Sequence, residues 1–377
     1  MKILVIGGGV AGPAFAGFMN KYGVGTVTLV ERAPEFKTIG YVIALWGNGR
    51  HVLRELDLDR DISEKMGYEI RWNAWENMHA KLIKVFSISQ LRKFGSTVIL
   101  ARSDLHKGLI DRIKGTDVRL GTTVVTIAQR PDKKVDVTFS DGKKDSFDLV
   151  VGADGIHSAT REQVFGKDFL RPYGWGIWVY WLPESFVHNE QIVAEVGDGR
   201  LYSIFPSYGR SVAWFVAAVP AGSGKPLESR GAMLRKLFAD FGGRAPEILN
   251  GMPRAEEILY DDLAYVMMPV WYKDRVVLMG DAQHAASPIS GMGTSMALED
   301  AYVLADELRQ TDDIDAALAR YAARREKRIG EYHAVTERLD RWSMASGLAG
   351  KLRDSVLPFV PTSFFLNTIT KLIETEI

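Results

Sequence analysis

The chain has 377 residues, 46% hydrophobic and 25% charged, a globular composition long enough for two domains. Its 47 basic and 47 acidic residues cancel, with no long basic run, so nucleic acid is not an expected partner. The absence of cysteine excludes disulfides, thiolate metal sites and Cys nucleophiles, and the seven scattered histidines show no metal-ligand spacing, so no metal is expected.

The first residues have the outline of a secretory signal, but the basic region is a single lysine and the glycines serve another purpose. The chain is read as cytoplasmic, and no apolar run is long enough to suggest a membrane span. Residues 2–6 read as a short buried strand, Gly7-Gly8-Gly9-Val10-Ala11-Gly12 fits G-x-G-x-x-G, and a helix follows to residue 20. A second apolar strand, 26–30, ends at Glu31-Arg32. Gly7 permits the tight turn, Gly9 lets the backbone approach a pyrophosphate, and Gly12 lets helix and strand pack closely. Val10 and Ala11 open the helix, whose unpaired N–H groups face the phosphates, and Glu31 can accept bonds from both ribose hydroxyls. Strand, glycines, helix, strand and acid in register predict a dinucleotide site.

Residues 40–47, GYVIALWG, are apolar with glycine at both ends and either pass beneath a flat ring or form a core strand. A helix is expected over 48–56, antiparallel strands between 68 and 97, and a second helix from Arg102 with Ser103 or Asp104 as its cap. Arg102 there either holds a phosphate or forms a surface ion pair. Strands at 118–127 and 134–139 lead through an Asp141-Gly142 turn to the run 147–161. That strand ends in Gly152-Ala153-Asp154-Gly155, with Ser158 and Arg161 beyond; an ordinary Asp-Gly turn is the alternative.

Residues 173–182 and 201–219 are aromatic-rich strands around a Ser207-Tyr208-Gly209 turn. Trp178 and Tyr180 share one strand face, Val179 and Trp181 the other. Trp178, Tyr180 and Trp214 are candidate contacts for a flat apolar ligand, with sheet-core filling as the alternative. A loop at 221–226 and a helix over 229–241 follow. The run 276–300 again drives an apolar strand into Gly280-Asp281, followed by a loop with Pro288, Gly291 and Gly293. Its helix begins near Gly293-Thr294 and carries Ala297, Ala301, Leu304 and Leu308 on one face. Beyond residue 315 a long helix with a Leu318, Ile329, Tyr332, Leu339 stripe runs to Gly347 and Gly350. The apolar tail is expected to pack on the body; membrane contact is not favoured, because no strongly basic face is present.

Three runs carry a family resemblance: the fingerprint at 7–12, D-x-V-V-G-A-D-G-x-x-S-x-x-R at 148–161, and R-V-V-L-M-G-D-A-x-H-x-x-x-P-x-x-G-x-G at 275–293. In this order they resemble the single-component FAD-dependent aromatic hydroxylases with the para-hydroxybenzoate hydroxylase fold. Within them, the chain is most similar to bacterial monooxygenases that act on polycyclic antibiotics, including those that inactivate tetracyclines. The resemblance implies an α/β fold. A Rossmann-like FAD-binding domain would take residues 1–70, 98–170 and 266–340, with an inserted antiparallel-sheet substrate domain at 71–97 and 171–265. A C-terminal helical tail would take 341–377.

It further implies FAD as resident cofactor and NADPH or NADH as transient co-substrate, since no second full fingerprint appears. With O2, an aromatic or polycyclic small molecule would be hydroxylated through a flavin C4a-hydroperoxide. Gly7, Gly9 and Gly12 would meet the FAD pyrophosphate, Glu31 the adenosine ribose, and Arg102 the cofactor from its helix. Asp154 lies in the motif associated with FAD and NAD(P)H. Gly280-Asp281 would meet the ribityl chain or nearby phosphate, and Pro288, with Gly291, Gly293 and Thr294, the isoalloxazine region. Gln283, where alanine is usual, and Met292, where glutamine is common, depart from the family. The sequence assigns no general base. Rival readings are another FAD enzyme, a halogenase or isoprenoid-chain reductase, and a non-catalytic protein binding flavin and an aromatic ligand.

Overall fold

The computed structural model describes residues 1–36, 41–183, 186 and 191–373. Gly40 and the last four residues of the expected tail therefore lie outside the described residues.

Apolar runs buried on both faces build a six-stranded sheet. Its order is Tyr272–Lys273, Val276–Leu278, Leu149–Gly152, Lys2–Ile6, Thr26–Glu31, Asp117–Leu120, and every pair but the first is parallel. Alternation within the strands divides the two faces. Ile3 and Val5 pack with Phe15 and Phe18 of the Ala11–Tyr22 helix and Leu298 and Leu304 of the Gly293–Arg309 helix. Leu4 and Ile6 pack with Val135, Val137 and Phe147, which belong to a small antiparallel sheet of Val124–Gln129, Val135–Phe139 and Lys144–Phe147. The expected 118–127 strand is thus two strands in two different sheets, broken at Gly121.

A seven-stranded sheet stands beside this unit, ordered Leu259–Val266, Leu170–Trp181, Arg210–Ala218, Arg200–Ser207, Gln191–Gly197, Trp72–Asn77, Leu82–Ser87. Its pairs are antiparallel except Gln191–Gly197 with Trp72–Asn77, which run parallel. One face is covered by the Leu227–Leu237 and Ala245–Asn250 helices through Trp178, Tyr180, Tyr202 and Phe215. The other face carries Ile177, Trp214 and Val216 and packs against Ile289 of the loop after Asp281.

The expected helix at 48–56 is Gly47–Glu55, and the one at 102 is Arg102–Arg112. Ser103 and Asp104 do not cap it. Ala101 occupies that position without a side-chain bond, because pairing of Val98–Ala101 with Val42–Leu45 holds the strand up to the helix start. The long helix runs Ile314–Ser343, followed by Gly347–Val356 and Thr362–Ile373. Among the described residues no single helix is long and apolar enough to cross a membrane.

Candidate active site

The three sequence motifs end side by side. In the parallel register Ile6 aligns with Gly152, and Gly152 with Leu278, so the Gly7 loop, Asp154 turn and Gly280-Asp281 turn leave one sheet edge together. Carboxyl ends of adjacent parallel strands are where ligands bind in such sheets.

At Gly7 the backbone has φ +111°, and a Cβ would lie 2.3 Å from the Ala153 carbonyl oxygen, so only glycine fits. A Cβ on Gly12 would lie 2.1 Å from the Gly7 oxygen, which marks how closely helix and strand approach. Gly9 has open space on its Cβ side and lines a cavity with Val10 and Ala11. The helix beginning at Ala11 has no side-chain cap, which leaves its first-turn N–H groups to a ligand. Glu31 is already oriented: its Oε2 accepts from Gly8 N at 2.7 Å and its Oε1 from Ala33 N at 2.9 Å.

At the second strand end Asp154 organises its own turn. Its carboxylate accepts from Ser158 Oγ at 2.5 Å and from Thr160 N and Oγ1, each at 3.0 Å. Its neighbours Ala153 and Gly155, rather than Asp154, line the cavity. Arg161, 1% exposed, donates to Ile156 O at 2.7 Å and Ala282 O at 3.0 Å, joining the second motif to the third.

The third motif rests on a buried charge network. Asp300 Oδ2 accepts from Gly280 N at 2.7 Å and His284 Nε2 at 2.6 Å, while Oδ1 accepts from Arg325 Nε at 2.7 Å. Arg325 also pairs with Glu299, which takes Arg328 and, at 2.7 Å, Asn48 Nδ2. Burial pushes Asp300 and Glu299 upward, but the surrounding cations outweigh it and hold both carboxyls below their ordinary values. Asp281 differs. It opens onto the cavity, yet so much protein surrounds it that desolvation raises its carboxyl, against the pull of His284 and Arg102.

Two cavities meet here. One, of about 470 Å³, joins Gly9, Arg102, Asp281, Pro288, Gly293 and Thr294. The Gly293–Arg309 helix begins at its wall behind Met292, again without a side-chain cap. A smaller cavity of about 140 Å³ lies between the seven-stranded sheet and the C-terminal helices. Ala44, Phe205, Trp214, Pro288 and Gly291 line both.

Of the residues singled out from sequence, Gly9, Val10, Ala11, Arg102, Gly280, Asp281, Pro288, Gly291, Gly293, Thr294 and Trp214 line the larger cavity. Gly7, Gly12, Glu31 and Asp154 do not line it but hold the neighbouring turns through the contacts above, and Arg32 is exposed and lines neither cavity. Arg102 lines the cavity, makes no ion pair among the described residues, and pulls the Asp281 carboxyl down against its burial.

Trp178 and Tyr180 require a correction. Register places Val179 opposite Trp214 and Trp178 opposite Phe215, so the cavity face is that of Ile177 and Val179. Both aromatics are fully buried under the helices at 227–250, and the Tyr180 hydroxyl bonds Ile248 O at 3.3 Å. Sequence reasoning also missed Phe205, Ser287 and Tyr332. Residues 42–45 combine both readings offered for them: they are a strand, and Val42, Ile43 and Ala44 line the cavity. Gln283 and Met292, each 1% exposed, line neither cavity; Gln283 donates to Val270 O at 3.3 Å.

A family model described as an FAD binding domain matches residues 1–170 and 259–334, the segments that build this edge. The chain belongs to this FAD-binding family of flavin-dependent monooxygenases. A flavin-dependent monooxygenase of Legionella longbeachae is 30% identical over 334 residues, covering 86% of this chain and 84% of the relative. The crystal structure of Klebsiella pneumoniae HpxO with FAD and uric acid superposes with a TM-score of 0.90 at 27% identity, over 100% of this chain and 97% of that one. Tetracycline destructase Tet(55) gives 0.78 at 28% identity, over 99% and 97%. The residues fit the cofactor: Gly9 leaves the space a Cβ would fill, and two uncapped helix starts face one cavity. In this flavin-dependent monooxygenase the Gly9–Ala11 turn would hold the FAD pyrophosphate, Glu31 the ribose, Asp281 the ribityl chain or nearby phosphate, and the 288–294 loop the reactive end.

Proposed function

We propose that this monooxygenase hydroxylates a flat, predominantly apolar aromatic or polycyclic molecule, held in the smaller cavity, with NADPH or NADH and O2 as co-substrates. When bound, FAD supplies the redox chemistry, accepting a hydride from the nicotinamide and activating O2 to deliver one oxygen atom. The protein's task is placement. The uncapped start of the Gly293–Arg309 helix opens on the cavity and would offer N–H groups and positive potential to a reduced, anionic cofactor. Asp281 and Arg102 set the charge around the cofactor's middle, and Trp214 and Phe205, with ring centroids 5.3 Å apart, stand at the junction of the two cavities. The sheet and C-terminal helices exclude water from the substrate side.

The observation that carries this reading is the meeting of the two cavities at Pro288 and Gly291. Arg338 is the one charged residue among the described lining of the smaller cavity, which is otherwise mainly aromatic and aliphatic. That wall supports an aromatic ligand less polar than the uric acid bound by the Klebsiella protein.

The test is to record the flavin spectrum of the purified protein and screen aromatic compounds for stimulated NAD(P)H oxidation and O2 uptake, with mass spectrometry of products. A product gaining one oxygen atom is expected. Bromide-dependent halogenation, reduction without O2 uptake, or binding without turnover would overturn the hydroxylase reading.

A further inference from the structure

The Gly347–Val356 helix is turned inside out. Arg353, 7% exposed, faces the body and donates to the carbonyls of Trp342 at 2.9 Å, Ser343 at 3.3 Å and Val196 at 3.4 Å. It also pairs with its neighbour Asp354 at 2.7 Å. Further around the helix Leu348, Leu352 and Val356 are 84%, 62% and 46% exposed, and Phe359, just beyond the helix, is 85% exposed. Spacings of four, four and three residues keep them on one face. Single exposed apolar residues are ordinary; an aligned stripe on a helix that buries its arginine is not. The carbonyl partners of Arg353 fix the helix's rotation, so no side-chain rotation buries the leucines. The chain is also fastened just ahead of the helix and at its first residue, where Gly199 N donates to Ala345 O at 3.3 Å and Gly347 N to Asp198 Oδ1 at 3.4 Å.

We propose that this face docks on a phospholipid bilayer, with Leu348, Leu352, Val356 and Phe359 entering the acyl boundary. Size separates this occupant from a second copy of the chain. The stripe has four side chains, whereas a stable protein interface engages about 20–30 residues on each side. A lipid surface needs no matching partner, and affinity scales with the apolar area inserted. Charge points the same way. Lys351 is the one charged side chain on the exposed face and makes no ion pair among the described residues, while Asp354 is held by Arg353. Lys351 thus flanks the stripe as a single cation that complements anionic headgroups. A strongly basic polar face is unnecessary, because the polar side of this helix is bonded to the protein instead of to lipid. The next helix, bent by 110° from this one, buries Leu366, Leu372 and Ile373 in the body, which makes the segment an interfacial element rather than a span.

The test is co-sedimentation of the full-length, FAD-loaded protein with phosphatidylcholine vesicles, with and without phosphatidylglycerol. Binding is expected to both, stronger with phosphatidylglycerol. Leu352→Glu combined with Phe359→Glu should weaken it about tenfold or more, because the inserted apolar area is lost. The flavin spectrum and melting temperature of that variant should stay unchanged, since neither residue lines a cavity or the core. Lys351→Glu should abolish the phosphatidylglycerol preference and retain phosphatidylcholine binding. Absence of wild-type binding, or equal binding by the double variant, overturns the proposal. So does a dimer in light scattering that the double variant dissolves while vesicles bind neither protein.

Discussion

Asp300 accepts a hydrogen bond from the backbone nitrogen of Gly280 at 2.7 Å, so the helix that follows the cofactor loop holds the turn that precedes it. The same carboxylate takes His284 and Arg325, and both Asp300 and Arg325 are fully buried. Asp300→Ala removes three donors' common acceptor and leaves a buried guanidinium with one carboxylate instead of two. Breaking a buried pair in this way costs about 3–5 kcal/mol. We expect a loss of that order in chemical denaturation, together with weaker FAD retention. Unchanged stability would show that Glu299 alone satisfies Arg325.

Asp340 should give a pH dependence of the opposite sign to most carboxylates. It is 3% exposed and accepts from Ser287 Oγ at 2.7 Å, while its Oδ2 has no hydrogen-bond partner. Burial pushes it from 3.8 up to about 6, against the downward pull of Ser287 and, from beyond bonding geometry, of the Tyr173 hydroxyl. A raised folded value means that the folded state holds the proton more tightly. The contribution is complete below pH 3.8 and is lost as pH rises through about 6, on the order of 3 kcal/mol. Asp340→Asn keeps an acceptor for Ser287 and removes the titration. The difference between wild-type and variant stability, measured in urea from pH 4 to 8, should change across that window and favour the variant at neutral pH. Parallel curves would overturn the assignment.

Arg161 joins two motifs that are far apart in sequence, and its fork matters more than its charge. Its guanidinium spans the Ile156 and Ala282 carbonyls, with burial drawing its proton affinity down and the fields of Asp154 and Glu162 opposing that. A lysine cannot reach two carbonyls in that geometry. Each buried carbonyl left unpaired costs about 1–3 kcal/mol. Arg161→Lys should therefore lower the melting temperature and weaken FAD binding severalfold, as read by denaturation and calorimetry. Full retention of both would remove Arg161 from the frame that aligns the motifs.

These residues also mark how much the sequence could disclose. The three strand ends were legible because continuous apolar runs stop at glycine and aspartate, and parallel pairing then forces their loops together. The facing of residues 170–181 was not. Ile177 and Val179 are as apolar as Trp178 and Tyr180, so periodicity separates two faces without saying which one the helices at 227–250 will cover. Gln283 and Met292 sit in the cofactor run by sequence, yet both side chains are buried, Gln283 within the Asp281–His284 turn and Met292 at the position just before the Gly293–Arg309 helix. The tail's amphipathicity was similarly ambiguous, because the partners that draw Arg353 inward are backbone carbonyls at 196, 342 and 343.

Trp214 offers the sharpest separation of cofactor holding from substrate holding. It lines both cavities opposite Val179 and is 7% exposed. Trp214→Ala would join the cavities, but truncating a buried tryptophan costs about 3–5 kcal/mol and confounds the reading. Trp214→Phe keeps an aromatic wall and withdraws only its outer ring. For that variant we expect FAD affinity within about twofold of wild type, a several-fold rise in KM, and less product formed per NAD(P)H oxidised, since a loosened wall misplaces the substrate. Spectral titration of FAD and parallel measurement of NAD(P)H oxidation and product yield distinguish these effects. An unchanged KM and yield with lost FAD would mean that Trp214 serves the cofactor side alone.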